Sequence, residues 1–259
     1  MPSYKTDVIE RLFHGRWDPE RGVIRDPVVT LADVQDEIRA AIERGARASD
    51  KNAANFLYDI IRKPTANEMW PQSVFKAGYT GKQLVGTGQC FEFVKVESGD
   101  TEPFPNRFIW TESTPRWEVQ SLSLPLLVRQ LGANDEMAIL QVAIALRLLE
   151  THFALHSAQH VLDLTLLQMS IRFSNVVIDG LFVASLDGNK GPFRRALITC
   201  ESKQLDERIL EDRLIRQVRA AADMPLDPDC VIATVVQRAP DCSIYVAEFQ
   251  PVTASRALK

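Results

Sequence analysis

Glu201, Ser202 and Lys203 close the apolar run Ala196-Leu197-Ile198-Thr199-Cys200, and a lone acidic residue, Asp179, stands upstream within Val176-Val177-Ile178-Asp179-Gly180. On a β-strand side chains alternate between faces, so Glu201 and Lys203 are expected on one side and Cys200 and Ser202 on the other. So apolar a strand reads as buried, and charges at its end are costly unless each other, a metal or a ligand partners them. That cost marks a site. Two carboxylates hold a hard divalent cation, and an ammonium beside them stabilises charge growing on a phosphoryl oxygen.

The surrounding elements must bring Asp179 beside Glu201. Residues 176–185 and 196–203 read as strands separated by the turn sequence Asp187-Gly188-Asn189-Lys190-Gly191. Upstream, Asn134 is a candidate cap for one helix over about 135–156, apolar around much of its circumference and therefore central and buried. Downstream, Asp206 is expected to cap a helix carrying Leu210, Leu214, Val218 and Ala221 at helical spacing, with further strands over 231–236 and 244–247. Helix, hairpin, helix, strand, strand implies a mixed α/β sheet.

Ahead of this lies a different pattern. Thr30 is a candidate N-cap, with Val34, Ile38, Ala41 and Ile42 on one helical face up to Gly45. A second short helix, capped by Ser49 or Asp50 and carrying Phe56, Leu57, Ile60 and Ile61, is expected to end at Pro64. Gly78-Tyr79-Thr80-Gly81-Lys82-Gln83 reads as loop, and residues 90–96 as a strand. Pro103, Pro105, Pro115 and Pro125 argue against helix, so a boundary is expected near residue 120, dividing 1–120 from 121–259.

The whole chain bounds these readings. Its 259 residues, 46% hydrophobic, suffice for a substantial interior. No apolar run approaches the roughly 18 residues of a membrane span, and the start lacks the order of a secretory signal, so a cytoplasmic protein is expected. Cys90, Cys200, Cys230 and Cys242 are too scattered for a thiolate zinc site or a disulfide framework. The net charge is -4, yet between Arg39 and Lys82 eight basic side chains face four acidic ones. Such asymmetry suits one basic binding surface on an acidic remainder.

Asp179 on one strand, a hairpin, Glu201-Ser202-Lys203 ending the next strand and then a helix together resemble the PD-(D/E)xK nuclease superfamily, which includes many type II restriction endonucleases. The resemblance covers roughly residues 176–218, and Ile178 stands where the name-giving proline would precede Asp179. It implies a restriction-endonuclease-like mixed β-sheet flanked by helices, preceded by a helical and loop recognition region. It also implies that Asp179 and Glu201 hold magnesium, with manganese as a substitute, against the scissile phosphate, while Lys203 positions or activates the attacking water. Glu150 resembles an upstream helical carboxylate that joins the metal site in parts of the superfamily. Gln217, inside the apolar stripe of its helix, is a buried amide that needs partners. It is a candidate to orient Lys203 or a phosphate, or it bonds a neighbouring carbonyl.

The expected activity is magnesium-dependent hydrolysis of double-stranded DNA, most plausibly by a type II restriction enzyme acting as a homodimer, with a companion DNA methyltransferase. The alternatives are a non-catalytic DNA-binding module with a nuclease-like fold and a structure-selective repair nuclease. Phosphate contacts are expected from the basic stretch, and Lys51, Asn52, Asn55, Tyr79, Lys82 and Gln83 are the candidates for reaching DNA. His152, His156 and His160, four residues apart, would share one face of a continuous helix, but three imidazoles along a helix do not converge on one tetrahedral zinc. The stretch from Gly78 to Gln83 lacks the spacing of a phosphate-binding P-loop.

Overall fold

In the computed structural model, residues 3–51, 53–84, 88–118, 135–188, 191–205, 207–241 and 243–258 are described. Their contacts group the chain into two units, Met1–Arg107 and Phe108–Lys259. The boundary expected near residue 120 falls outside the described residues, as do Asn52, Asn134, Asp206 and Cys242.

The first unit begins with α1 (Tyr4–His14), a small hairpin of β1 (Trp17–Asp18) and β2 (Val23–Ile24), then β3 (Val28–Thr30) and α2 (Leu31–Glu43). Helix α2 starts where expected. Thr30 accepts from the Asp33 N–H while the Asp33 carboxylate accepts from the Thr30 N–H, which satisfies two donors that a helix start leaves orphaned. The second expected helix is instead a single turn of 3-10 helix, Ala53–Asn55, followed by three short helices: α3 (Tyr58–Ile61), α4 (Ala66–Met69) and α5 (Gln72–Lys76).

The expected loop at 78–83 is a strand. β4 (Tyr79–Gln83) pairs antiparallel with β5 (Gln89–Lys95), which also pairs with β3. Gly81 misled the sequence reading because its job is packing. A Cβ there would lie 2.8 Å from the Trp70 ring, so the missing side chain makes room for the indole. The Trp70 Nε1–H in turn donates to the Tyr79 carbonyl at 3.2 Å.

The second unit runs α6 (Glu136–Ala145), α7 (Leu148–Leu155), β6 (Val161–Phe173), β7 (Val176–Leu186), β8 (Arg194–Lys203), α8 (Glu211–Ala222), β9 (Cys230–Arg238), β10 (Ile244–Glu248), β11 (Val252–Thr253) and α9 (Ala254–Ala257). The sheet order is β10-β9-β8-β7-β6, with β11 also on β9. Among the described strands only β8 and β9 pair in parallel, and α8 lies in the connection between them. The unit is thus a mixed α/β fold with a mainly antiparallel sheet flanked by helices.

Alternation along β8 divides the core. Ala196, Ile198 and Cys200 pack with Ile139, Leu140, Leu149 and Phe153 of α6 and α7. Leu197 packs with Leu214, Val218 and Ala221 of α8. Burial of each such aliphatic side chain is worth about 1.5–3 kcal/mol, so both helix layers are held firmly against the sheet.

Two elements depart from expectation. The single helix expected over 135–156 is two, bent by 61°, with left-handed Arg147 (φ 52°) at the break. His152 therefore lies in α7, His156 caps its end and His160 precedes β6, so the three do not share one helix face. Strand β6 was not expected. Two register shifts against β7, at Val161/Asp163 and Leu166/Gln168, break the alternation by which a strand is read. Among the described residues no single helix is long and apolar enough to cross a membrane.

Candidate active site

Strands β7 and β8 pair as far as Gly180↔Cys200. Beyond that pair a side chain takes over from the ladder, as Asp179 Oδ2 accepts the Ser202 N–H at 2.9 Å. This bond anchors the Asp179 carboxyl beside the end of β8, where Glu201 and Lys203 sit almost wholly buried. Lys203 Nζ lies 2.7 Å from Glu201 Oε1. The three residues singled out from the sequence are together.

The buried Glu201 carboxylate is matched on both oxygens, as a desolvated charge requires. Oε1 meets Lys203 Nζ and the Arg213 Nε–H, and Oε2 accepts from Gln217 Nε2. Gln217 is fully buried and also donates to the Val177 carbonyl at 3.3 Å, while its own Oε1 has no protein partner. Arg213 Nη2 stands 3.7 Å from Asp179 Oδ1, so one guanidinium addresses both carboxylates. Arg213 and Gln217 are four apart on α8, which puts them on one helix face. That spacing was visible in the sequence, but nothing local marks the arginine as a member of the site.

The other face of β8 meets a third carboxylate, that of Glu136. The Ser202 hydroxyl donates to the Glu136 carbonyl at 2.5 Å, and the Glu136 carboxylate accepts from Lys203 Nζ at 3.3 Å. Glu136 is the first residue of α6, where the helix dipole favours negative charge. Glu150, the upstream carboxylate expected from the sequence, is not brought to Lys203. The break at Arg147 carries it onto α7, which packs on β6 and β10, whereas α6 packs on β7, β8 and β9. Close approach of α6 is permitted by Gly180. A Cβ there would sit 3.2 Å from Leu140 Cδ2 and 3.4 Å from Cys200 Cβ. Ile178, the residue before Asp179, is fully buried in the core beneath α8.

Electrostatics follow from this crowding. Burial, and then the charge of Glu201, push the Asp179 carboxyl up to about 6, against the opposing pull of the Ser202 N–H, Arg213 and Lys203. Burial, and then a hydrogen bond with the Glu207 side chain, raise Glu136 above the ordinary carboxyl range, with Lys203 opposing. Burial pushes the Cys200 thiol up to about 12, which leaves it protonated and without nucleophilic character. The site is thus a cluster of carboxylates held by two cations, with Asp179 the most poorly compensated.

The residues fit a hard divalent cation. Burial, and then the charge of Glu201, push the Asp179 carboxyl up, and a cation between the two carboxylates would relieve both. Among the described residues no three His, Cys, Asp or Glu side chains group into a metal cage. Magnesium does not require one, since one or two carboxylates with water and substrate phosphate complete its shell.

The candidates for DNA contact divide in the first unit. Lys51, Asn55 and Lys82 are exposed, and Asn52 lies outside the described residues. Tyr79 and Gln83 are buried and serve the unit's own fold. The Tyr79 ring packs edge-on to Phe13 and Trp17, and its hydroxyl accepts from the Ile24 N–H at 3.4 Å. Gln83 accepts from the Tyr58 N–H at 2.9 Å and donates to the Cys90 carbonyl at 2.7 Å. The basic excess is also smaller in space than along the chain, because Arg44 pairs with Asp7 and Arg39 with Asp36 and Asp50.

No protein-family model, curated protein or solved structure matches this chain.

Proposed function

We propose that the chain is a magnesium-dependent endodeoxyribonuclease with a PD-(D/E)xK core of the restriction-endonuclease-like kind, a type II restriction enzyme that cuts a specific duplex sequence as a homodimer. The observation that carries the reading is the buried meeting of Asp179, Glu201 and Lys203 where β7 and β8 part. A structural ion pair needs no second buried carboxylate beside it, whereas a cation site is served by one.

On this reading Asp179 and Glu201 hold magnesium or manganese, which lowers the pKa of a bound water and neutralises charge on the phosphoryl oxygens. The chain's own groups prepare that chemistry. The Ser202 N–H and Gln217 Nε2 orient the two carboxylates. Glu201 and Glu136 hold the Lys203 ammonium from two sides, which fixes its positive charge beside the two carboxylates, where it stabilises charge growing on a phosphoryl oxygen. Lys51 and Lys82 are assigned to phosphate contacts, which position the duplex, and Asn55 to base edges. Each strand of a duplex needs its own catalytic centre, which favours a dimer.

The test is cleavage of plasmid DNA by purified protein with magnesium. Cutting is expected to stop on chelation and to be lost in Asp179→Ala and Lys203→Ala with the fold retained by circular dichroism. Full cutting by both variants sinks the proposal. Discrete plasmid fragments support restriction, and cutting confined to branched DNA supports a structure-selective nuclease. Salt-dependent duplex binding with no cleavage across metals and sequences identifies a non-catalytic module instead.

A further inference from the structure

We infer that Arg213 is the internal stand-in for the divalent cation: its guanidinium occupies the space between Asp179 and Glu201 in the metal-free protein and gives up those carboxylate oxygens when metal binds. The inference rests on the nuclease reading and concerns how the same site is regulated. Arg213 Nε bonds Glu201 Oε1, and Arg213 Nη2 stands 3.7 Å from Asp179 Oδ1. These are oxygens of the same two carboxylates that are assigned to the cation. A dication placed there with the guanidinium still present would set like charges in contact in a buried corner, a steep cost.

The two cations of the site differ in whether they can move. The Lys203 side chain is 5% exposed and fixed between Glu201 and Glu136. The Arg213 side chain is 25% exposed, although the Glu201 carboxylate it bonds is 1% exposed. Its long apolar stem on the surface of α8 gives it a route into solvent that Lys203 lacks. Displaced outward, it stays at the rim of the site, where a guanidinium suits a phosphate oxygen. Binding of metal is therefore weakened by the need to expel a cation, and the carboxylates are kept compensated until metal arrives.

The test is titration of the intact protein with magnesium in the absence of DNA, followed by calorimetry, on wild type, Arg213→Ala and Arg213→Lys. Competition predicts at least fivefold tighter magnesium binding by Arg213→Ala, an intermediate value for Arg213→Lys, and loss of binding when Asp179→Asn is added to either. It also predicts that magnesium raises the melting temperature of Arg213→Ala more than that of wild type. Equal or weaker affinity in both arginine variants, with wild type binding magnesium, overturns this inference and leaves the nuclease reading standing. Absence of magnesium and manganese binding from wild type and variants alike overturns this inference, and the nuclease reading falls with it only if plasmid DNA is not cut either.

Discussion

The Asp179 carboxylate accepts the backbone N–H of Ser202 at 2.9 Å, at the point where the ladder between their strands ends. A side chain thereby replaces a main-chain acceptor, and the bond fixes the position of Asp179 relative to Glu201, one residue before Ser202. Removing the acceptor leaves a buried N–H unsatisfied, which costs about 1–3 kcal/mol. Asp179→Asn retains a carbonyl acceptor and Asp179→Ala does not. Urea unfolding of the metal-free proteins is expected to rank Asp179→Asn above Asp179→Ala in stability at pH 7, while both lack cleavage.

The raised Asp179 value sets a pH dependence of stability in the metal-free protein. With an ordinary value of 3.8 and a folded value of about 6, the native state holds the proton more tightly than the unfolded chain between those limits. The stabilisation is complete below the lower value and is lost as pH rises through the upper one. From pH 4.5 to 7.5 the wild type is expected to lose about 2 kcal/mol relative to Asp179→Asn. Parallel unfolding curves for the two proteins across that range would contradict the assignment.

Glu136 and Glu150 separate the site seen in three dimensions from the one expected along the chain. Glu136→Gln removes a carboxylate that holds Lys203 Nζ at 3.3 Å, and a cleavage rate at least tenfold below wild type is expected, in keeping with the loss of a positioned charge. Glu150→Gln is expected to cut within about twofold of wild type. Single-turnover rates at saturating magnesium decide the matter, and the reverse ranking would restore Glu150 to the site.

Gln217 holds a buried carboxylate oxygen, so its loss is felt twice. Gln217→Leu fills the space but strips Glu201 Oε2 of its donor, and a destabilisation of about 2–3 kcal/mol is expected, with reduced cleavage. Gln217→Glu, which sets two carboxylates against each other, is expected to be worse. Chemical denaturation midpoints alongside plasmid cleavage measure both effects.

In the first unit, Gly81→Ala is expected to destabilise by about 1–3 kcal/mol, because its Cβ would meet the Trp70 ring at 2.8 Å. Lys51→Ala and Lys82→Ala should leave stability unchanged. Each should reduce the slope of log affinity for duplex DNA against log salt by about one. An unchanged slope in both would remove them from the DNA surface.

Several elements were legible in the sequence because their causes are local. The Thr30-to-Asp33 spacing specifies a capping box, and α2 starts there. Alternation places Glu201 and Lys203 on one face of β8, and their Nζ–Oε1 distance of 2.7 Å expresses that choice. The place of Gln217 in an apolar stripe marks it as buried, which it is. Gly81 and β6 were illegible for equally physical reasons: a glycine chosen for its lack of volume resembles one chosen for a turn, and bulges erase the period of two.

By itself the sequence determined which groups the second unit had to shelter, two carboxylates and an ammonium at the ends of apolar strands, since nothing but mutual pairing or a ligand makes their burial tolerable. Only the tertiary structure decided their company. The bend at Arg147 delivers Glu136 and withholds Glu150, and the pitch of α8 brings Arg213 and Gln217 onto Glu201. Such partners are set by how helices lie across a sheet, a relation between residues distant in the chain that no local spacing encodes.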